Sequence, residues 1–252
     1  MSSSNLVDEA LRIANKSKEE AITLRVMGAT AVRIHCPKFT SLHENLGREI
    51  SDIDFMAYGS QTDKIIDFLL RIGYTFDRRR LMIMRYFNRY IFDDSEKRHL
   101  DVFFDKLEMC HTIDFNHRLE VDYPTISLAD ILLEKLQIVK INEKDIKDCI
   151  VLLREHEVGE NDEETVNTKY ISRLLAKDWG FYYTVTQNLE KVEAASKGYA
   201  ALQDADMHNI SVKIATMKDE IEHAPKSVGW KMRARVGNKQ KWYREVEEVE
   251  RS

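Results

Sequence analysis

Apolar residues recur at helical spacing from about Asn5 to Glu20, where Leu6, Ala10, Ile13 and Ala14 share one stripe. Thr23 to Met27 is short, apolar and β-compatible. Gly28-Ala29-Thr30 then reads as a small-residue turn, with a helix starting over Ala31 to Ile34 and a loop from Pro37 to Arg48. Glu49 to Tyr58 reads as a strand. Gln61 to Ile72 returns to helical spacing through Ile65, Ile66, Leu69 and Leu70, and Gly73 suits its C-terminal stop. Leu81 to Phe92 and Arg98 to Phe104 are rich in aromatic and branched residues. With the polar turn Asp93-Asp94-Ser95-Glu96-Lys97 between them they predict a β-hairpin, in which Met82 and Met84 are core residues.

From Ser127 the pattern becomes helical. Ser127 with Asp130 three residues on has the form of an acidic capping box before a helix over Leu128 to Lys140. Asn142 with Asp145 repeats it for a helix reaching about His156. Val158 to Glu164 is polar and acidic and marks the expected domain boundary. Thr165 to Ala176, Phe181 to Lys197 and Ala200 to His223 are further helical patterns without strand signals. Three prolines and nine glycines in 252 residues favour long helices over a many-turned all-β fold. The expected fold class is α/β (α+β): a mixed sheet with flanking helices in residues 1–157 and a helical bundle in 158–252.

Composition narrows the function classes. Apolar content of 43% is enough for a core, while a net charge of −5 gives no general attraction to nucleic acid or membrane. No apolar run approaches the ~18 residues of a membrane span, and the start of the chain is polar rather than leader-like. Cys36, Cys110 and Cys149 are scattered and odd in number, which argues against disulfides or zinc and for a reducing, cytoplasmic location.

The candidate chemistry is carboxylate chemistry. Alternation along a strand puts Asp52 and Asp54 on one face, where they repel unless a cation or partner intervenes. Mg²⁺ (or Mn²⁺) suits such a pair, because it is hard and prefers oxygen ligands and substrate phosphates. Asp101, between Leu100 and Val102, would complete a trio able to hold metal for phosphoryl or nucleotidyl transfer. The competing reading makes Asp52 a turn residue and Asp54 a surface side chain. Gly28, Ala29 and Thr30 would let phosphate approach backbone N–H groups at a helix start, unless they form an ordinary tight turn. Lys135 falls on the buried stripe of Leu128, Ile131, Leu132 and Val139, so it either pairs with a carboxylate or meets a phosphate. Asp145 reads first as a capping residue. Asp148 would pair with Lys147, Arg154 or a site lysine.

The order of these pieces resembles the nucleotidyltransferase (DNA polymerase β-like) superfamily, and within it the AbiEii-type nucleotidyltransferases. The matching residues are Gly28-Ala29-Thr30-Ala31, Arg48-Glu49-Ile50-Ser51-Asp52-Ile53-Asp54-Phe55, Leu100-Asp101-Val102, Glu134-Lys135-Leu136 and Lys144-Asp145-Ile146-Lys147-Asp148, over roughly residues 20–155. The resemblance implies metal on Asp52, Asp54 and Asp101, with NTP phosphates against the Gly28 turn. It also makes Asp101 the group that helps activate the acceptor and Lys135, Asp145 and Asp148 part of the nucleotide site. Family activities include NMP transfer to RNA, protein or small molecules, and some members are toxins with an antitoxin partner. Ala29 departs from the family's usual Gly or Ser, which puts phosphate affinity in question.

Lys226 to Arg244 carries seven cations interleaved with Trp230, Trp242 and Tyr243 and no acid, a composition suited to RNA. The competing reading is a solvated helix or a tail that packs its Trp residues on the bundle, and the acidic end, Glu245 to Glu250, weighs against RNA. Two function classes follow: a Mg²⁺-dependent nucleotidyltransferase, or a nucleotide- or RNA-binding module of the same fold without catalysis. A toxin recognised mainly by a partner protein is a third.

Overall fold

The computed structural model describes residues 3–76, 89–95 and 98–246 and shows a mixed α/β protein in which helix predominates. Helix α1 (Ser3–Glu19) leads to strand β1 (Leu24–Met27), which runs directly into α2 (Gly28–His35). After α3 (Thr40–Asn45) come β2 (Ile53–Ala57), α4 (Thr62–Arg71), β3 (Arg89–Asp93) and β4 (His99–Phe104). These strands form one sheet in the order β1-β2-β4-β3. β2 is antiparallel to β1 and parallel to β4, and β3 and β4 make the expected antiparallel pair. Residues 81–88 of that hairpin, with Met82 and Met84, lie outside the described residues, as do Glu96 and Lys97 of its turn and residues 247–250 of the acidic end.

The register of the parallel pair follows from burial. Ile53 lies beside Leu100 and Phe55 beside Val102, all fully buried, so a one-residue slip would bring these side chains to the wrong face. The same register sets Asp54 beside Asp101.

A small hairpin, β5 (Lys106–Glu108) and β6 (Thr112–Asp114), follows the sheet. Next come α5 (Leu128–Leu136) and α6 (Glu143–Glu155). Both helices start at the side chains expected from sequence: Ser127 accepts from the Asp130 N–H and Asn142 from the Asp145 N–H. Helix α5 ends four residues earlier than its periodicity suggests. The Asn188 amide donates to the Leu136 and Ile138 carbonyls, taking up acceptors that another helical turn would have used.

The polar stretch 158–164 is bracketed by β7 (Glu157–Gly159) and β8 (Thr165–Asn167), which pair in parallel. The periodicity of 165–176 therefore hides a short strand before α7 (Thr168–Leu175), where Asn167 caps the helix. Then come α8 (Trp179–Ser196), α9 (Asp204–His223) and α10 (Val228–Val236). The buried apolar core runs without a break from Leu6 to Ile221. The stretch from Pro37 to Arg48, expected as loop, contains α3. Its buried Leu42 joins the core and its buried His43 reaches Asp148. No helix of the described residues is long and apolar enough to cross a membrane.

Candidate active site

Strand pairing builds the acidic centre. Asp54 lies between Met27 of β1 and Asp101 of β4 at matched register positions. Asp52 precedes β2 and is held through its backbone, whose carbonyl accepts from the Thr30 hydroxyl at 3.2 Å. One carboxylate oxygen from each of Asp52, Asp54 and Asp101 lies within 4.8 Å of the others. The three line a cavity of about 900 Å³, at the upper end of the range for small-ligand sites. Burial raises the Asp54 pKa well above the usual carboxylate range, and the charges of Asp52, Asp101 and Glu134 raise it further. A hard cation would relieve that repulsion, so the donor set fits Mg²⁺ or Mn²⁺ in charge and ligand chemistry.

Gly28 makes the close approach possible. Its φ is +70°, and a Cβ there would stand 2.6 Å from Asp54 Oδ2. Gly28 is also the first residue of α2, so no separate turn intervenes between strand and helix. Its N–H donates to Glu134 Oε2 at 3.2 Å. A carboxylate of this chain thus occupies one of the donors at the helix start that the sequence offers to phosphate. Gly28 lines the cavity. Ala29 and Thr30 are buried behind it, and the Thr30 hydroxyl serves Asp52 instead.

Lys135 lines the same cavity, but its ammonium already meets three carboxylates: Glu134 at 3.1 Å, Asp148 at 3.3 Å and Asp145 at 3.5 Å. Burial opposes its charge, yet these neighbours outweigh burial and raise its pKa well above the lysine value. Asp145 lines the cavity beside it. The cap of α6 is Asn142, so the Asp145 carboxylate is used on Lys135.

Asp148 is fully buried and takes the site lysine, not Lys147 or Arg154, which pair with Glu143 and Asp206. It also accepts from Arg48 through both oxygens, at 2.9 and 3.0 Å, and contacts His43 at 3.0 Å. Burial pushes its pKa up, but Lys135, His43 and Arg48 hold it below the ordinary aspartate value. Asp148 therefore anchors Lys135 and the segment leading to Asp52.

Sequence reasoning did not assign a role to several residues here. Arg89 donates to Asp101. It lies opposite Phe103, diagonal to Asp101 on the same sheet face, a relation visible only once the register is known. Glu134 and Arg48 stand inside motifs already singled out, so that signal was present. Tyr243, Glu245 and Val246 line the cavity from the C-terminal segment, far away in sequence.

The stretch from Lys226 to Arg244 places its aromatics inward. Trp230 packs edge-on against Tyr182 at 5.1 Å, and Trp242 packs against Tyr183 at 5.1 Å. Lys226 donates to the Ile221, Glu222 and Ala224 carbonyls and Arg233 to those of Gly237 and Gln240. Much of the charge and stacking surface offered to RNA is thus engaged within the fold. No protein-family model matches this chain, and no curated protein is detectably similar to it.

Proposed function

We propose that the protein is a Mg²⁺-dependent nucleotidyltransferase of the DNA polymerase β-like fold, transferring an NMP from NTP to an acceptor. The convergence of Asp52, Asp54 and Asp101 within 4.8 Å, in a cavity that also contains Gly28 and Lys135, carries this reading. Asp52 and Asp54 would hold the metal with help from Asp101, and the metal would supply charge stabilisation at the transferring phosphate. Asp101, held by Arg89, would accept the proton of an acceptor hydroxyl. The acceptor oxygen then bonds to the α-phosphorus as the bond to the bridging oxygen breaks and pyrophosphate leaves. The carboxylates around Lys135 keep it charged, which suits a phosphate partner. A cytoplasmic location, which would supply NTP and Mg²⁺, belongs to the same proposal.

Two contacts favour the second reading, a nucleotide-binding module without catalysis. Arg89 already neutralises Asp101, and Glu134 already takes the Gly28 N–H. Incubation with Mg²⁺ or Mn²⁺, labelled NTPs and total RNA or protein separates the two. Label transfer that Asp54→Asn abolishes supports the enzyme. Metal-dependent NTP binding without transfer supports the module. Absence of both overturns the proposal, and an antitoxin-type partner would then be sought by co-purification.

A further inference from the structure

The C-terminal segment crosses from the helices to the hairpin beside the acidic centre, and two anchors fix it. Trp242 Nε1 donates to Thr184 Oγ1 at 3.0 Å. The Trp242 backbone presses so closely on α8 that a Cβ at Gly180 would stand 2.6 Å from its carbonyl oxygen. Two residues on, Arg244 is bound to the β5–β6 hairpin through its backbone N–H and its guanidinium. Its N–H donates to the Cys110 carbonyl at 3.0 Å, and its guanidinium donates to the Met109 carbonyl, Glu108 and Thr112 at 3.1, 3.2 and 2.7 Å. Between the anchors, half-buried Tyr243 borders the cavity, its ring braced by Trp242 at 5.2 Å.

The cavity lining combines two chemistries. Its charged part includes Asp52, Asp54, Asp101 and Lys135, with Lys140, Lys144 and Glu245. Its apolar part is Leu107, Met109, Ile138 and Val139, with Tyr243. The charged part suits metal and phosphates. The apolar part with a fixed aromatic ring suits a planar, weakly polar group. A movable cover would have to break the Arg244 and Trp242 contacts on every opening, so the anchoring favours a permanent wall.

We infer that Tyr243 is a specificity-determining wall of the substrate cavity and stacks on the base of the bound nucleotide. The inference rests on the proposed NTP site and adds to it the segment that binds the nucleoside. The test compares Mg²⁺–ATP with Mg²⁺–tripolyphosphate by titration calorimetry on full-length protein, in the wild type, Tyr243→Ala, Tyr243→Phe and Gly180→Ala. Loss of one stacking partner should weaken ATP about tenfold or more. Tyr243→Ala should show that loss, Tyr243→Phe should bind as the wild type does, and tripolyphosphate should bind all four equally. Gly180→Ala, which displaces the segment without touching the ring, should lose ATP affinity as well. Unchanged ATP affinity in Tyr243→Ala overturns the inference and leaves the NTP site standing. A wild type that binds neither ligand overturns both. If Tyr243→Ala fails to fold, Tyr243→Leu keeps most of the volume without the ring and is read in the same way.

Discussion

Gly28→Ala is the substitution for which the structure gives the most definite cost. The backbone at Gly28 is left-handed, which costs an L residue about 1–2 kcal/mol. The new methyl would also stand 2.6 Å from Asp54 Oδ2, with the Asp54 Cβ and Cγ at 3.5 Å. The Asp54 carboxylate must therefore swing away, at about 0.5–1.5 kcal/mol for leaving its rotamer. A total near 2–3 kcal/mol lowers the melting temperature of a chain this size by about 5–10 °C. On the proposed metal role of Asp54, moving its carboxylate should also weaken Mn²⁺ binding by about 10–100-fold. Gly47→Ala is the matched control, because Gly47 has φ +66° and nothing within 4 Å of its Cβ position. It should lose only the backbone part of the stability and retain Mn²⁺ affinity. Melting curves and Mn²⁺ titration followed by electron paramagnetic resonance read both effects. If Gly28→Ala matches Gly47→Ala in both, the close approach to Asp54 does not govern the site.

The raised Asp54 pKa makes the metal-free protein bind an extra proton when folded, so its contribution to stability is full below the ordinary value of 3.8 and is lost as pH rises through the raised one. Asp54→Asn should flatten that decline in melts without divalent ions; identical pH profiles would show that the carboxylate is not strained. Lys135→Met leaves Glu134, Asp145 and Asp148 buried around a missing charge and should lower stability by about 3–5 kcal/mol in urea unfolding, so a wild-type midpoint would contradict the ion-pair assignment. Burial holds the His111 pKa down at about 4, aided by the charge of Arg244. The unfolded chain therefore takes up the proton first, and stability falls as pH drops from 6.5 towards 4, by about 3 kcal/mol. His111→Gln should remove most of that fall, measured as the difference between denaturation midpoints at the two pH values.

Local rules legible in the sequence determined much of the fold. The stripe of Leu6, Ala10, Ile13 and Ala14, the capping residues Ser127 and Asn142, and the stop at Gly73 act over three or four residues, and each stands where the pattern put it. The acidic pair was legible for the same reason, since Asp52 and Asp54 are two residues apart. Tertiary structure decided what joins them. Asp101 reaches Asp54 through a parallel register set by burial of Ile53, Phe55, Leu100 and Val102, and Arg89 reaches Asp101 only through the antiparallel partner of that strand. Helix α5 stops where Asn188, some fifty residues on, takes the carbonyls of Leu136 and of Ile138 just beyond it. Whether Lys135 meets a carboxylate or a phosphate was open in the sequence, because Asp145 and Asp148 lie on the next helix and only Glu134 adjoins it in the chain. Tyr243 belongs to the cavity because Trp242 and Arg244 fasten it to α8 and the β5–β6 hairpin. Propensity and capping are properties of a short stretch of chain, whereas the pairing of buried charges and the closing of a cavity depend on which distant surfaces the core brings together.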